Sequence, residues 1–282
     1  MSITLRSDRV TATVLSVDGG RLASLRIGDR ELLVARPPGV GPGSTMWGCF
    51  VMAPWAGRLD EGALPWRGVV HQMRRNNGAH SIHGLVFDAP WEVQLQEVDA
   101  VTLHRTLDDL WPLSGGIRHH ITLSPGGLSL RLDVRAGAQG MPLGAGWHPW
   151  FARAQEDLRV TVDADATLVT TADLIPTGDL EPVGGDRDLR GGPPLGERRL
   201  DHVYARARPP TLLRWPDLEL RMEFRPPLET VVVYTPEGAA CVEPQCAWPN
   251  APSLAARGVG GSGLVALGPD EEVTLETRWS WS

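Results

Sequence analysis

The sequence contains no lysine: all 27 of its Lys+Arg positions are arginine. Schiff-base aldolases, pyridoxal-phosphate enzymes, Walker-type nucleotidases and protein kinases each need a lysine amine at a defined place, so those mechanisms are excluded in their usual forms. Asparagine is scarce too, at Asn76, Asn77 and Asn250 only. Together the two depletions read as the codon bias of a GC-rich genome, because exposed positions accept either cation. The three cysteines, Cys49, Cys241 and Cys246, are too few and too irregularly spaced for a disulfide framework or a closed zinc site, and free thiols in a reducing compartment are expected. No apolar run approaches the roughly 18 residues of a membrane span, and the first residues show no charged start leading into an apolar segment, so a cytoplasmic chain with no membrane partner is expected. The net charge is only -7 and the arginines never gather into a basic run, which argues against nucleic acid as a partner.

What is abundant is glycine and proline, 32 and 24 residues, which disfavour long helices. With 42% hydrophobic residues the chain is long enough to bury a sizeable core. Its dominant period is two: apolar residues alternate over 10–14, 93–95, 101–103, 128–132, 158–162, 218–220 and 273–275, the mark of half-buried strands. Asp18-Gly19-Gly20, Asn77-Gly78, Pro125-Gly126-Gly127 and Pro236-Glu237-Gly238 supply turns between such runs. Residues 117–134 read as a hairpin about Pro125-Gly126-Gly127, and residues 91–111 as two strands joined near Glu97. No helix is expected. The pattern predicts an all-β antiparallel sandwich or barrel, one domain over 1–282, with 177–197 as a long surface loop.

Polar, titratable residues stand among aromatic and turn-forming ones in four segments, around Arg58, around His80 and His83, around His148, and around Glu243. His80 and His83 lack a third and fourth ligand, so no metal is assigned; His119 and His120 face opposite sides of a strand and read as structural. His148 lies between Trp147 and Trp150 and before Pro149; it is either a core histidine with a backbone partner or an oriented imidazole that exchanges protons near neutral pH. Glu243 follows an apolar strand and precedes Pro244, at what reads as a strand end, where partial burial would raise its pKa. Arg58 alone reads as a surface charge and Asp201 alone as a turn cap. The tryptophans near these groups (Trp55, Trp66, Trp147, Trp150, Trp248) suit a sugar, with apolar ring faces and a rim of hydroxyls, although core packing accounts for a share of them.

Taken in order, Gly57-Arg58, Ser81-Ile82-His83-Gly84, His148-Pro149-Trp150-Phe151, Leu200-Asp201 and Glu243-Pro244-Gln245 resemble the aldose 1-epimerase (mutarotase) family over nearly the whole chain. The resemblance implies a large antiparallel β-sandwich and a cofactor-independent isomerase. Its reaction would interconvert the α and β anomers of a free aldose by acid–base ring opening and closure. It implies His148 and Glu243 as the catalytic pair, Glu243 as base and His148 as acid, with Arg58, His83 and Asp201 as substrate-binding groups. The expected partner is a small-molecule sugar, and the chain is a monomer or homodimer. Two departures touch sugar contacts: Gly57 stands where family members commonly carry Asn, and His202 where many carry a second Asp. A non-catalytic carbohydrate-binding protein of the same fold and a hexose-phosphate mutarotase are the alternatives, and a metal-dependent cupin-like enzyme is a more distant one.

Overall fold

The computed structural model describes residues 1–107, 111–153 and 158–282. Two large antiparallel sheets pack face to face around one apolar core. The smaller sheet has eight strands and holds most of the segments whose alternation is plain in the sequence. Gly115–Ser124 and Gly127–Ala136 form its central hairpin, closed by the pair Ser124 and Gly127. Ile117, His119, Ile121, Leu130, Leu132 and Val134 point from it into the core, while Arg118, His120 and Arg131 alternate with them on the other face. Glu92–Gln96 and Ala100–Thr106 are the two expected strands before it, with residues 108–110 of that stretch outside the described part.

The larger sheet has eleven strands. Its middle runs Arg21–Ile27, Cys49–Met52, Gly146–Ala152, Ala239–Gln245, Thr230–Tyr234 and Asp201–Ala205 in spatial order. One face of these strands packs on the smaller sheet through Val51, Trp147, Phe151, Val231, Val233 and Val242. Their other face is covered by the loop-rich segments 35–48, 53–90 and 246–264, so Gly146–Ala152 and Ala239–Gln245 are buried almost throughout.

Three expectations need correction. A six-residue helix, Ala251–Ala256, does form, with Pro252 in its first turn; it is too short to show a 3.6-residue period in sequence. The segment 177–197 is not all loop, because Pro176–Pro182 pairs with Ala166–Thr170 as the last strands of the large sheet, and Gly185–Arg187 makes a 3₁₀ turn. Glu243 is not at a strand end: Pro244 stays in the ladder opposite Val231, and the strand runs on to Gln245. His119 and His120 do face opposite sides. His119 is buried and accepts a hydrogen bond from the Trp147 indole across the sandwich at 3.2 Å, and His120 meets Asp133 and Thr102.

Candidate functional site

Strand alternation explains why one face of the large sheet carries chemistry. Odd positions of Gly146–Ala152 (Trp147, Phe151) fill the core, which turns His148 and Trp150 to the opposite face. On the neighbouring strand Ala240 and Val242 take the core, which turns Cys241, Glu243 and Gln245 outward alongside them. The register then sets which residues meet. Phe50 pairs with His148, and the pairs Gly146 with Gln245 and Trp150 with Cys241 place His148 across from Glu243. Glu243 pairs in turn with Val232, and Val232 with Val203. The adjacent row runs Trp150, Cys241, Tyr234, Asp201.

The outcome is a cleft of about 260 Å³ whose lining includes Arg58, His83, His148, Asp201 and Glu243. These five come from segments spread over some two-thirds of the chain, and the fold brings all five to one cleft. His148 Nε2 and Glu243 Oε1 are 3.2 Å apart, with their side chains 5% and 4% exposed. The imidazole is held between Phe50, stacked at 4.7 Å, and Trp150, stacked at 5.6 Å, while His83 meets it edge-on at 5.0 Å. His83 is fixed by its own N–H, which donates to the Gly57 carbonyl at 3.0 Å, and by the short ladder that pairs Arg58 with Ile82. Gly84 follows at φ +79 where an added Cβ would lie 1.9 Å from the Ala53 carbonyl oxygen, so only glycine lets the chain pass here.

Burial dominates the electrostatics. It lowers His148 well below the ordinary imidazole range, helped by His83 and Arg21, and pushes the Glu243 carboxyl well above the ordinary carboxylate range, with Asp201 raising it further and Arg58 opposing. His83 is lowered to about 3 by burial and by the nearby Arg58 guanidinium. Asp201 is exposed at the cleft mouth, yet the protein around it dehydrates the carboxylate enough to raise its pKa against the pull of Arg58. Dehydration therefore favours the uncharged form of each member of the central pair.

Several residues of the cleft are given no role by the sequence. Tyr234 and Gln245 line it; the Gln245 amide donates to the Ala247 carbonyl at 2.7 Å and leaves its Oε1 without a hydrogen-bond partner. The Trp150 indole N–H and His83 Nδ1 are likewise buried without one. Such orphaned polar atoms around a cavity are what a hydroxylated ligand satisfies. Among the tryptophans named from sequence, Trp150 alone is on the cleft: Trp55 and Trp147 belong to the main core, Trp66 packs against it, and Trp248 packs beside Leu254. His202 does not face the cleft, since its partner Val233 points into the core, so its departure from the family pattern falls outside it. Gly57 does line the cleft, at φ +66 and with Pro249 so close that a Cβ would lie 2.5 Å from its ring. His80 is drawn away from His83 by Asp60 and the Glu61 amide. Among the described residues, His148, Cys241 and Glu243 are the group with metal-ligating reach, their ligand atoms lying within 4.8 Å of one another.

Comparison with known proteins bears on the fold and the family. A structure of a galactose mutarotase-like protein from Clostridium acetobutylicum superposes with a TM-score of 0.89 at 17% identity, covering 99% of this chain and 94% of that one. Galactose 1-epimerase from Lactobacillus acidophilus NCFM superposes with a TM-score of 0.81 at 18% identity, covering 99% and 93%. An uncharacterized Escherichia coli K12 protein, YphB, is 24% identical over 247 residues, 81% of each chain. At these identities the structural matches establish the fold. The family model for aldose 1-epimerase matches residues 1–280, and with that match the chain belongs to the aldose 1-epimerase family.

Proposed function

We propose that the protein is an aldose 1-epimerase, interconverting the α and β anomers of a free aldose without a cofactor. The observation that carries this reading is the 3.2 Å contact between His148 and Glu243 on the wall of a sugar-sized cleft. Ring opening removes the proton from the O1 hydroxyl, delivers a proton to the ring oxygen O5 and breaks the C1–O5 bond. C1 then turns about C1–C2, and closure reverses the proton flow on either face. We assign the O1 proton to Glu243 and the O5 proton to His148. The pair gains one proton and gives up one, so it ends each half-reaction with the charge it had at the start.

Burial sets a condition on that assignment. The form with carboxylate and imidazolium separates charge in a dehydrated site, so the free pair favours a neutral imidazole beside a neutral carboxyl. A sugar hydroxyl donating to Glu243, with the Arg58 guanidinium nearby, favours the charge-separated form once substrate is bound. The working state in either form is the pair holding one proton. With His148 lowered and Glu243 raised, the pH window of that state is widened at both ends; the rate falls in acid when the pair takes a second proton and in alkali when it loses its only one, and both flanks belong to the pair. Arg58, His83 and Asp201 are assigned to the hydroxyls of the ring.

The free sugar is favoured over a phosphorylated one because Arg58 is the one guanidinium among the described residues lining the cleft. Arg74 is paired with Asp88, and Arg75 donates to the Glu61 carbonyl. Polarimetry on freshly dissolved α-aldoses and aldose phosphates tests the reading. Accelerated mutarotation of at least one free aldose is expected. Saturable sugar binding with no acceleration would instead support the carbohydrate-binding alternative, and acceleration confined to phosphates would support a hexose-phosphate mutarotase.

A further inference from the structure

Behind the catalytic row lies a charge that the reaction just described does not use. Arg21 is fully buried. The pair Leu22 and Cys49 sets it across from Phe50 in the sheet, so the His148 row begins one strand earlier: Arg21, Phe50, His148, Glu243. Its guanidinium carbon lies 5.0 Å from the Phe50 ring centre, and His148 stacks on that ring from the neighbouring strand on the other side. The same guanidinium lies 4.5 Å from the Trp47 ring, donates to the Ser44 and Trp47 carbonyls at 2.7 Å each, and has Asp18 at 3.9 Å. Thr45 and Met46, between those two carbonyls, line the cleft.

A buried guanidinium is costly, several kcal/mol before compensation. Burial lowers this one to about 10, which leaves it charged at neutral pH, and its Nε has no hydrogen-bond partner. Two carbonyls and a carboxylate at 3.9 Å compensate it in part. An apolar side chain would fill the space at less cost if filling were all that was required.

We propose that Arg21 is a positioning residue of this site, which clamps residues 44–47 as one wall of the cleft and sets a fixed positive charge behind the Phe50 ring to govern when His148 carries a proton. The proposal rests on the acid–base reading of His148. Two strand spacings, roughly 10 Å, separate the two groups across the row. At that distance in a protein interior a unit charge moves a titration by about one pH unit. The groups that face His148 are Glu243 and Cys241 from one neighbouring strand, His83 from the cleft wall, and Arg21 through Phe50 from the other side, with Arg58 further along the cleft. Of the cations, Arg21 alone is held without access to substrate. It therefore acts on the free enzyme and the complex alike, keeping the resting imidazole neutral.

The test reads His148 directly, by NMR titration of its imidazole ¹H–¹³C signal in the full chain, assigned by its loss in His148→Asn. Arg21→Gln keeps an amide donor for a carbonyl and removes the charge; it is expected to move the His148 titration upward by about one pH unit. Arg21→Lys keeps the charge and loses the planar fork, so the titration should stay near the wild-type position while KM rises through the loosened 44–47 wall. A purely structural role would give the two variants the same titration. Should Arg21→Gln fail to fold, Asp18→Asn carries the test with opposite sign. By removing the compensating carboxylate it should leave His148 less protonated than wild type at any pH in its titration range. An unmoved His148 signal in folded Arg21→Gln, or in Asp18→Asn, overturns the proposal. Because the signal is read without turnover, a protein that proves not to mutarotate any sugar would sink the functional reading separately.

Discussion

His119 and His148 are both buried, both lowered far below the ordinary imidazole range by dehydration, and both close to Trp147 in space or in sequence. They differ in what they face. His119 lies between the sheets, where its Nε2 accepts from the Trp147 indole, and it is not among the residues that line the cleft. His148 lies on the opposite side of the strand that carries Trp147, against a carboxyl and open to the cleft. Burial and a perturbed pKa are thus shared by a structural and a candidate catalytic histidine; a titratable neighbour and access to a ligand separate them.

The sharpest way to break this contrast is to remove each group in turn. Glu243→Gln and His148→Asn should each lower kcat by roughly 10²–10⁴-fold with sugar binding within about tenfold, measured by polarimetry and calorimetry on protein checked for folding. Their combination should cost little more than the worse single change, because a coupled proton route is lost once either end is gone. His119→Leu should leave kcat within about twofold. A collapse of kcat in that variant would erase the distinction.

The same His119→Leu variant should lose about 1–3 kcal/mol of stability in urea unfolding, since the Trp147 indole is left buried without an acceptor. Its pH dependence follows from sign. The folded state holds His119 neutral down to about 3, whereas the unfolded chain protonates near 6.5. This group's stabilisation is therefore complete above 6.5 and lost as pH falls through the window between, at roughly 1 kcal/mol per pH unit. Between pH 6.5 and 5 the variant should lose less stability than wild type, and equal losses would mean that His119 is not held neutral.

Arg58→Ala sharpens the other side of the contrast, between the groups proposed to move protons and those proposed to hold the sugar. KM should rise about tenfold or more with kcat little changed, the worth of one charge-assisted hydrogen bond. An unchanged KM with a collapsed kcat would move Arg58 into transition-state stabilisation. The smallest effect is expected from exhaustive chelation, which should alter neither activity nor melting temperature. The nearness of Cys241 to His148 and Glu243 makes this a real test, for a metal held by these three would make both fall on its removal.

How much of this was legible in the sequence depends on which side of a strand meets water. In Gly127–Ala136 and Val10–Leu15 one face is more exposed, and the alternation marks them as strands. Gly146–Ala152 and Ala239–Gln245 are covered on both faces, so Trp147-His148-Pro149-Trp150-Phe151 and Ala240-Cys241-Val242-Glu243 show no such rhythm, and in the sequence Pro244 makes Glu243 look like a strand end. The five site residues were found through their order along the chain and its likeness to a family pattern; periodicity alone would have passed them over. Tyr234 had no motif to mark it, because what brings it to the cleft is register across three strands. Arg21 could not be read at all: next to Gly20 in a turn it looks like any surface arginine, and only the fold buries it.

The contact between Gly57 and Pro249 constrains how specificity in this cleft can change by descent or by design. Asparagine at position 57 would have to adopt a left-handed backbone and place its Cβ within 2.5 Å of the Pro249 ring. The two positions are therefore epistatic, and order matters: an amide can be introduced at 57 only after Pro249 has given way to a smaller residue. A library that varies position 57 alone would return glycine, and the route to a different ligand preference from that corner of the cleft begins some 190 residues downstream, at the other end of the contact.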